Sequence, residues 1–131
     1  MSDHSSRLCH VAPVFRVADL DRSLSYYRDQ LGFEVEFNYE GFYAGVLRDA
    51  CHIHLKCSGR VDREQGTFEG DEHLDACFAV QDAQNLASRF ASTGAVFSVP
   101  LRSMPYGREF YVKDPDGYIL GFVQSAEAQH T

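Results

Sequence analysis

The chain alternates two kinds of apolar pattern. At positions 9–17, Val11, Pro13, Phe15 and Val17 fall on one face and His10, Ala12, Val14 and Arg16 on the other, which predicts a strand. Asp19 then has the chemistry of a helix N-cap, and Leu20, Leu24, Tyr27 and Leu31 recur at helical spacing until Gly32 stops the run. Positions 33–39 alternate again, Phe33, Val35, Phe37 and Tyr39 against Glu34, Glu36 and Asn38; a turn at Gly41 leads to a strand over 42–48 and, after Asp49, another over 51–57.

The same order then restarts. Positions 58–72 are charged, contain Gly59, Gly66 and Gly70, and show no period, so they predict a linker. A strand over 73–80 carries Leu74, Ala76, Phe78 and Val80 on one face. Asp82 caps a helix with the stripe Ala83, Leu86, Ala87 and Phe90, ended by Gly94, and strands follow over 96–99, 108–113 and 118–124. Val17-Ala18-Asp19 and Gly32 thus recur as Val80-Gln81-Asp82 and Gly94 about 60 residues later. The prediction is an α+β domain of two βαβββ repeats, residues 8–57 and 73–124, joined by the linker and flanked by flexible tails at 1–7 and 125–131.

One such unit covers one face of its sheet with a helix and leaves the other bare. Curled sheets can turn their bare faces toward a common cavity, with both halves from one chain or one half from each of two chains. On 51–57 the odd positions suit the helix, leaving His52, His54 and Lys56 for the cavity. On 73–80 the even positions suit it, leaving His73, Asp75, Cys77 and Ala79. The turn Asp114-Pro115-Asp116-Gly117 has proline where a type I turn fixes φ, and glycine where it closes.

Composition narrows the function classes. A net charge of −7 argues against nucleic-acid binding and suits a cationic ligand, and no apolar run approaches a membrane span or a secretion signal's core. Cys9, Cys51, Cys57 and Cys77 lack metal-type spacing and fall in strand-like runs, so buried reduced thiols in a cytoplasmic protein are expected. No nucleophile elbow or phosphate-cradling loop occurs. Tyr26 and Tyr27 are expected to pack on the sheet.

Several segments resemble the vicinal-oxygen-chelate superfamily, which holds glyoxalase I, ring-cleaving dioxygenases and bleomycin-resistance proteins. They are Ala12-Pro-Val-Phe-Arg-Val-Ala-Asp-Leu, Leu31-Gly32-Phe33, Ala44-Gly45-Val46-Leu47-Arg48-Asp49, Pro105-Tyr106-Gly107-Arg108-Glu109-Phe110 and Asp114-Pro-Asp-Gly117. The resemblance spans residues 12–124 and is nearest to the bleomycin-resistance branch. It implies a homodimer that holds an aromatic, cationic small molecule in clefts between chains, with neither metal nor turnover. By the same resemblance the metal positions of other members fall on Ala12, His54, Asp75 and Gly121. Ala12 and Gly121 carry no donor, and about three convergent ligands are needed for a catalytic ion, so no cofactor is expected. The alternative is a metal-dependent lyase, isomerase or dioxygenase using His54 and Asp75 with a displaced ligand from His10, His52 or His73. Each of these lies two residues, about 7 Å of strand, from a metal position. A third reading makes His54 or His52 a general base without metal. The drug-stacking aromatic positions fall on Tyr43 and Tyr106, the latter commonly Trp in drug binders, and an acidic position near the cleft falls on Glu36. The candidate ligand-binding set is therefore Tyr43, Tyr106, His54, Glu36, His52 and Asp75. Arg108 and Glu109 are expected to pair with each other's neighbours across the dimer and to do nothing for a ligand.

Overall fold

A computed structural model describes residues 4–59 and 72–126. The first module contains β1 (Val14–Val17), α1 (Leu20–Ser25, extended by a π-type turn over Tyr26–Gln30), β2 (Glu34–Tyr39), β3 (Tyr43–Arg48) and β4 (Cys51–Cys57). The second contains β5 (Ala76–Ala79), α2 (Ala83–Ser92), β6 (Val96–Met104), β7 (Gly107–Lys113) and β8 (Ile119–Ser125). The sheets run β1-β4-β3-β2 and β5-β8-β7-β6. In each, the strand before the helix lies parallel to the last strand, and the remaining pairs are antiparallel. The repeat read from the pattern is thus one topology built twice.

Local chemistry sets both helices in the same way. Asp19 and Asp82 sit in extended backbone and accept the amides of Arg22 and Asn85 at 3.1 and 3.0 Å. Each helical run stops at a glycine with positive φ, 75° at Gly32 and 85° at Gly94. The stripes Leu20, Leu24, Tyr27 and Leu31, and Ala83, Ala87 and Phe90, are buried against their sheets.

Both helix sides feed one core. Phe15, Val17, Val46, Ile53 and Leu55 join Phe90, Phe110, Val112, Leu120 and Phe122 in a single apolar cluster. Phe90 meets Phe110 and Phe122 edge-on, and Phe33 meets Phe78 across the modules. Because both helix-covered faces share this core, the bare faces lie on its outside. Within one chain they do not enclose a hollow between them.

The turn between β7 and β8 fastens the modules together. Asp114 Oδ1 accepts the amides of Asp116 and Tyr118, each at 2.9 Å, and Oδ2 accepts the Tyr27 hydroxyl of α1 at 2.8 Å. Asp116 accepts from the Ala18 amide, Arg22 and the Ser23 hydroxyl at the start of the same helix. Tyr26 donates to Lys113 O at 2.7 Å, and Tyr118 stacks on Phe15 while bonding Arg16 O. Tyr26 and Tyr27 therefore do pack as expected, with their hydroxyls spent on this turn.

Some expectations are corrected. The first strand begins at Val14; Leu8 and Val11, which precede it, are exposed, and the Pro13 carbonyl accepts His54 N. The strand expected over 96–99 runs on through Pro100 to Met104, with register shifts that absorb the proline. The cysteines are free but not buried: Cys9, Cys51 and Cys77 are exposed and Cys57 is half-buried. Cys9 precedes β1, Cys51 opens β4, and Cys77 lies on the bare face. Most of the expected linker, 60–71, and most of the second tail lie outside the described residues; in the first tail His4–Ser6 form a 3-10 turn.

Asp114 yields a pH test. It is 4% exposed, and burial pushes its carboxyl up to about 6 from 3.8, against three hydrogen bonds that favour the charged form. An acid whose pKa rises on folding stabilises the fold fully below its unfolded pKa, and that contribution is lost as pH rises through the folded value. Asp114→Asn keeps an acceptor for both amides and offers an amide to Tyr27, but cannot ionise. Relative to the natural chain it should gain up to about 3 kcal/mol between about pH 4 and pH 7. Urea unfolding of both proteins at the two pH values measures this; parallel stability curves would refute it.

Candidate functional site

The bare face of the first sheet is aromatic. On β4, Ile53 and Leu55 enter the core, so His52, His54 and Lys56 point outward. Register places Leu47, Gly45 and Tyr43 of β3 directly opposite them. On β2 a bulge between Val35 and Phe37 shifts the phase, so that Phe37 pairs with Gly45 and Tyr39 with Tyr43 on this same outward face. Gly45 has no Cβ for a reason: Phe37's ring lies against its Cα, in the space a side chain would fill. Phe37 stacks on Tyr43 at 6.1 Å between centroids and meets His54 edge-on at 5.4 Å. Tyr43's hydroxyl is hydrogen-bonded to His54 Nδ1 at 2.9 Å.

Beside this cluster, His52 stacks on His10 at 3.9 Å. Glu36, on the bulge, brings Oε1 to 3.3 Å from His52 Nδ1. That is ion-pair distance without hydrogen-bond alignment, and this nitrogen is buried without a hydrogen-bond partner.

The bare face of the second sheet is polar and partly filled by its own chain. Glu109 on β7 is 1% exposed and collects donors: Arg102 Nε at 2.8 Å and Nη2 at 2.6 Å on Oε2, the Tyr106 hydroxyl at 2.7 Å and the Tyr111 hydroxyl at 3.5 Å on Oε1. Arg102 lies over the Tyr111 ring and also holds Glu72. The hydrogen bond to Glu109 pushes the Tyr106 phenol up to about 12, since losing its proton would set two anions together. Burial, then the Glu109 charge, raises Tyr111 and Cys77. Arg102's hydrogen bonds raise it further, and Arg102 lowers Glu72. Leu74 packs with Val99, Tyr111 and Ile119 and covers Gly121, where an added Cβ would come within 2.8 Å of its methyls. Leu74 therefore leaves the core face expected for it.

The expected site residues divide into two groups. Tyr43, His54, Glu36 and His52 come together on the first face; Tyr106 and Asp75 belong to the second. Asp75 Oδ2 accepts the Ile119 amide at 2.8 Å, and Oδ1 lies 3.4 Å from His73 Nε2. The four positions carried over for a metal do not fit one within this chain. Ala12 offers no donor, Leu74 stands over Gly121, and His54 and Asp75 lie on bare faces of different sheets. Among the described residues, no three His, Cys, Asp or Glu side chains are grouped to hold an ion.

Sequence reading missed Phe37, Arg102, Tyr111 and Leu74 as residues of these faces, and assigned Glu109 no specific partner. Phe37 was hidden by the bulge. Arg102 lay in a stretch not read as strand, although the period-two order Glu109, Tyr111 between Phe110 and Val112 already marked an outward face. Two clefts of about 490 and 520 Å³ follow the seam on either side of Arg48, which donates to Leu31 O at 2.7 Å, and neither touches an expected site residue.

Known proteins resemble this chain in sequence or in fold. A lactoylglutathione lyase of Haemophilus influenzae is 29% identical over 128 residues, covering 86% of this chain and 89% of that protein. The crystal structure of a bleomycin-binding protein from bleomycin-producing Streptomyces verticillus, complexed with copper(II)-bleomycin, superposes with a TM-score of 0.70 at 26% identity, over 91% of this chain and 98% of that one. A glyoxalase/bleomycin resistance protein/dioxygenase from Alicyclobacillus acidocaldarius reaches 0.74 at 18% identity over 98% of each chain, a likeness of fold. The family description "Glyoxalase/Bleomycin resistance protein/Dioxygenase superfamily" matches residues 7–122, and the chain belongs to that superfamily.

Proposed function

We propose that the chain is a metal-free binding protein that sequesters a small aromatic molecule, with a cation as one suited charge. The observation that carries this reading is the outward cluster of Phe37, Tyr43 and His54, an aromatic surface with few polar groups to drive chemistry. Glu36 and the chain's net charge of −7 favour a positively charged ligand. The bleomycin-binding neighbour supports a small-molecule ligand. Donor-free Ala12 and Gly121, with Leu74 over the latter, argue against a resident ion. In this reading two copies pair, the first sheet of one facing the second sheet of its partner, so that Tyr43 and Tyr106 approach one ligand from opposite sides. Exposed Val14, Phe37, Tyr39 and Tyr106 on or beside the bare faces support such a pairing.

A second reading, a metal-dependent lyase, isomerase or dioxygenase, is favoured by the lyase relative and by His54 on the bare face. It requires an ion held by His54, Asp75 and a further donor from a second chain.

Three measurements test these readings. A thermal-shift screen of planar aromatic amines and bleomycin-type glycopeptides should find ligands that stabilise the protein, by about 2.7 kcal/mol at a hundredfold excess over Kd. Tyr43→Ala should weaken such a ligand by about tenfold through lost stacking; a panel without any stabilising compound would remove the binding reading. Metal analysis of untagged protein should find no stoichiometric divalent ion, and one ion per site would favour the second reading instead. Light scattering should report a particle of two chains, whereas a monomer at all concentrations would rule out the shared cleft.

A further inference from the structure

We propose that Arg102 is a carboxylate-binding seat on the second bare face and that Glu72 is its built-in occupant, so that the ligand of the proposed cleft carries a carboxylate beside its aromatic part. This rests on the binding reading above and adds a carboxylate to its ligand, whose aromatic part and positive charge Tyr43 and Glu36 would meet on the opposite face. The seat is a guanidinium fixed from behind. Its Nε and Nη2 grip Oε2 of Glu109, a carboxylate 1% exposed, whose other oxygen is held by Tyr106 and Tyr111. The guanidinium lies over the Tyr111 ring, with its carbon 5.6 Å from the centroid. With that edge and that face occupied, the Nη1–Nη2 edge points away from Glu109 in a single orientation. Two parallel N–H donors in a fixed plane match the two oxygens of a carboxylate.

Glu72 shows the match. Its Oε2 and Oε1 sit 3.3 and 2.9 Å from Nη1 and Nη2, one oxygen to each nitrogen. Its side chain is 46% exposed, unlike the buried Glu109 on the other edge. Its backbone has φ of +55°, a left-handed conformation that a glutamate rarely adopts, so local preference does not place it there. Because Glu109 already neutralises the guanidinium, exchanging Glu72 for another carboxylate leaves the cluster's charge unchanged. The seat can therefore change occupants while the buried Glu109 keeps its partner. Leu74, two residues on, and the ring of Tyr106 provide apolar surface on the same sheet.

The occupant competes with any ligand. A site filled by the chain's own carboxylate binds an outside one more weakly, in proportion to the fraction of time it is vacant. Removing the internal carboxylate should thus tighten binding, the reverse of what loss of a ligand contact does.

The test uses the full chain with naphthalene-2-carboxylate and its neutral isostere naphthalene-2-carboxamide, followed by calorimetric titration. The natural protein should prefer the carboxylate by about tenfold. Glu72→Gln, an exposed change that spares the buried pair, should tighten the carboxylate several-fold and leave the amide unchanged. Arg102→Lys, which keeps the charge but not the fork, should erase the preference. Glu109→Gln should, as a sign that Glu109 acts by positioning, return the Tyr106 phenol toward its ordinary titration, read by ultraviolet absorbance. Equal binding of the two compounds by the natural protein and by Glu72→Gln would overturn the seat, as would failure of either protein to bind the carboxylate at millimolar concentration. If both compounds bind equally and Tyr43→Ala weakens both, the aromatic cleft survives and the seat falls. If the carboxylate preference follows Glu72 and Arg102 while Tyr43→Ala changes nothing, the seat stands without the cleft.

Discussion

The architecture depends on two carboxylates in one turn. Asp114 and Asp116 accept four protein donors from the opening of α1 and the adjoining chain, and Asp114 organises its own turn through two further amides. Such buried acids are costly unless their lone pairs are filled. These are filled by groups from the other module, which makes the turn a register pin rather than a mere reversal of direction. With the seam pinned there, the helix-covered faces share the core and the bare faces remain outside. The placement of every candidate binding residue follows from that choice.

The fold was legible because the features that encode it are local and repeated. Asp19 with Gly32, and Asp82 with Gly94, mark helix ends through capping and positive φ, and both are visible in a string of letters. The faces were less legible. A strict period of two put Phe37 on the side of Phe33, yet one extra residue at Glu36 reverses the assignment for Phe37 and Tyr39. A bulge leaves almost no mark in composition. Leu74 shows the same limit: its parity with Phe78 assigns it to the core, but it precedes the strand proper and lies over Gly121 instead. The partnership of Arg102 and Glu109 was invisible because register shifts around Pro100 and Leu101 decide which residues of β6 and β7 meet.

The duplicated halves have kept their topology while their bare faces have diverged. The first presents rings and imidazoles with few polar partners; the second presents a guanidinium held between two carboxylates, with phenols around it. A surface of the first kind attracts flat apolar matter by area and by stacking geometry. A surface of the second kind discriminates, because its donors are fixed and any misaligned acceptor leaves them unmet. Set opposite one another across a pair of chains, the two would divide recognition into affinity on one side and selectivity on the other.

Asp75 shows how a side chain on a bare face can be taken into the ladder of its own sheet. At this position, which the family resemblance marks for a metal, the carboxylate accepts the first amide of β8 while its own amide bonds the carbonyl of the same residue, Ile119. The side chain thus continues the parallel ladder past the end of β5. A carboxylate has about four lone-pair sites, so the Ile119 amide fills one of them and fixes the group's orientation without exhausting it. Gly121 on β8 brings no donor toward that carboxylate, and Leu74 lies over that glycine.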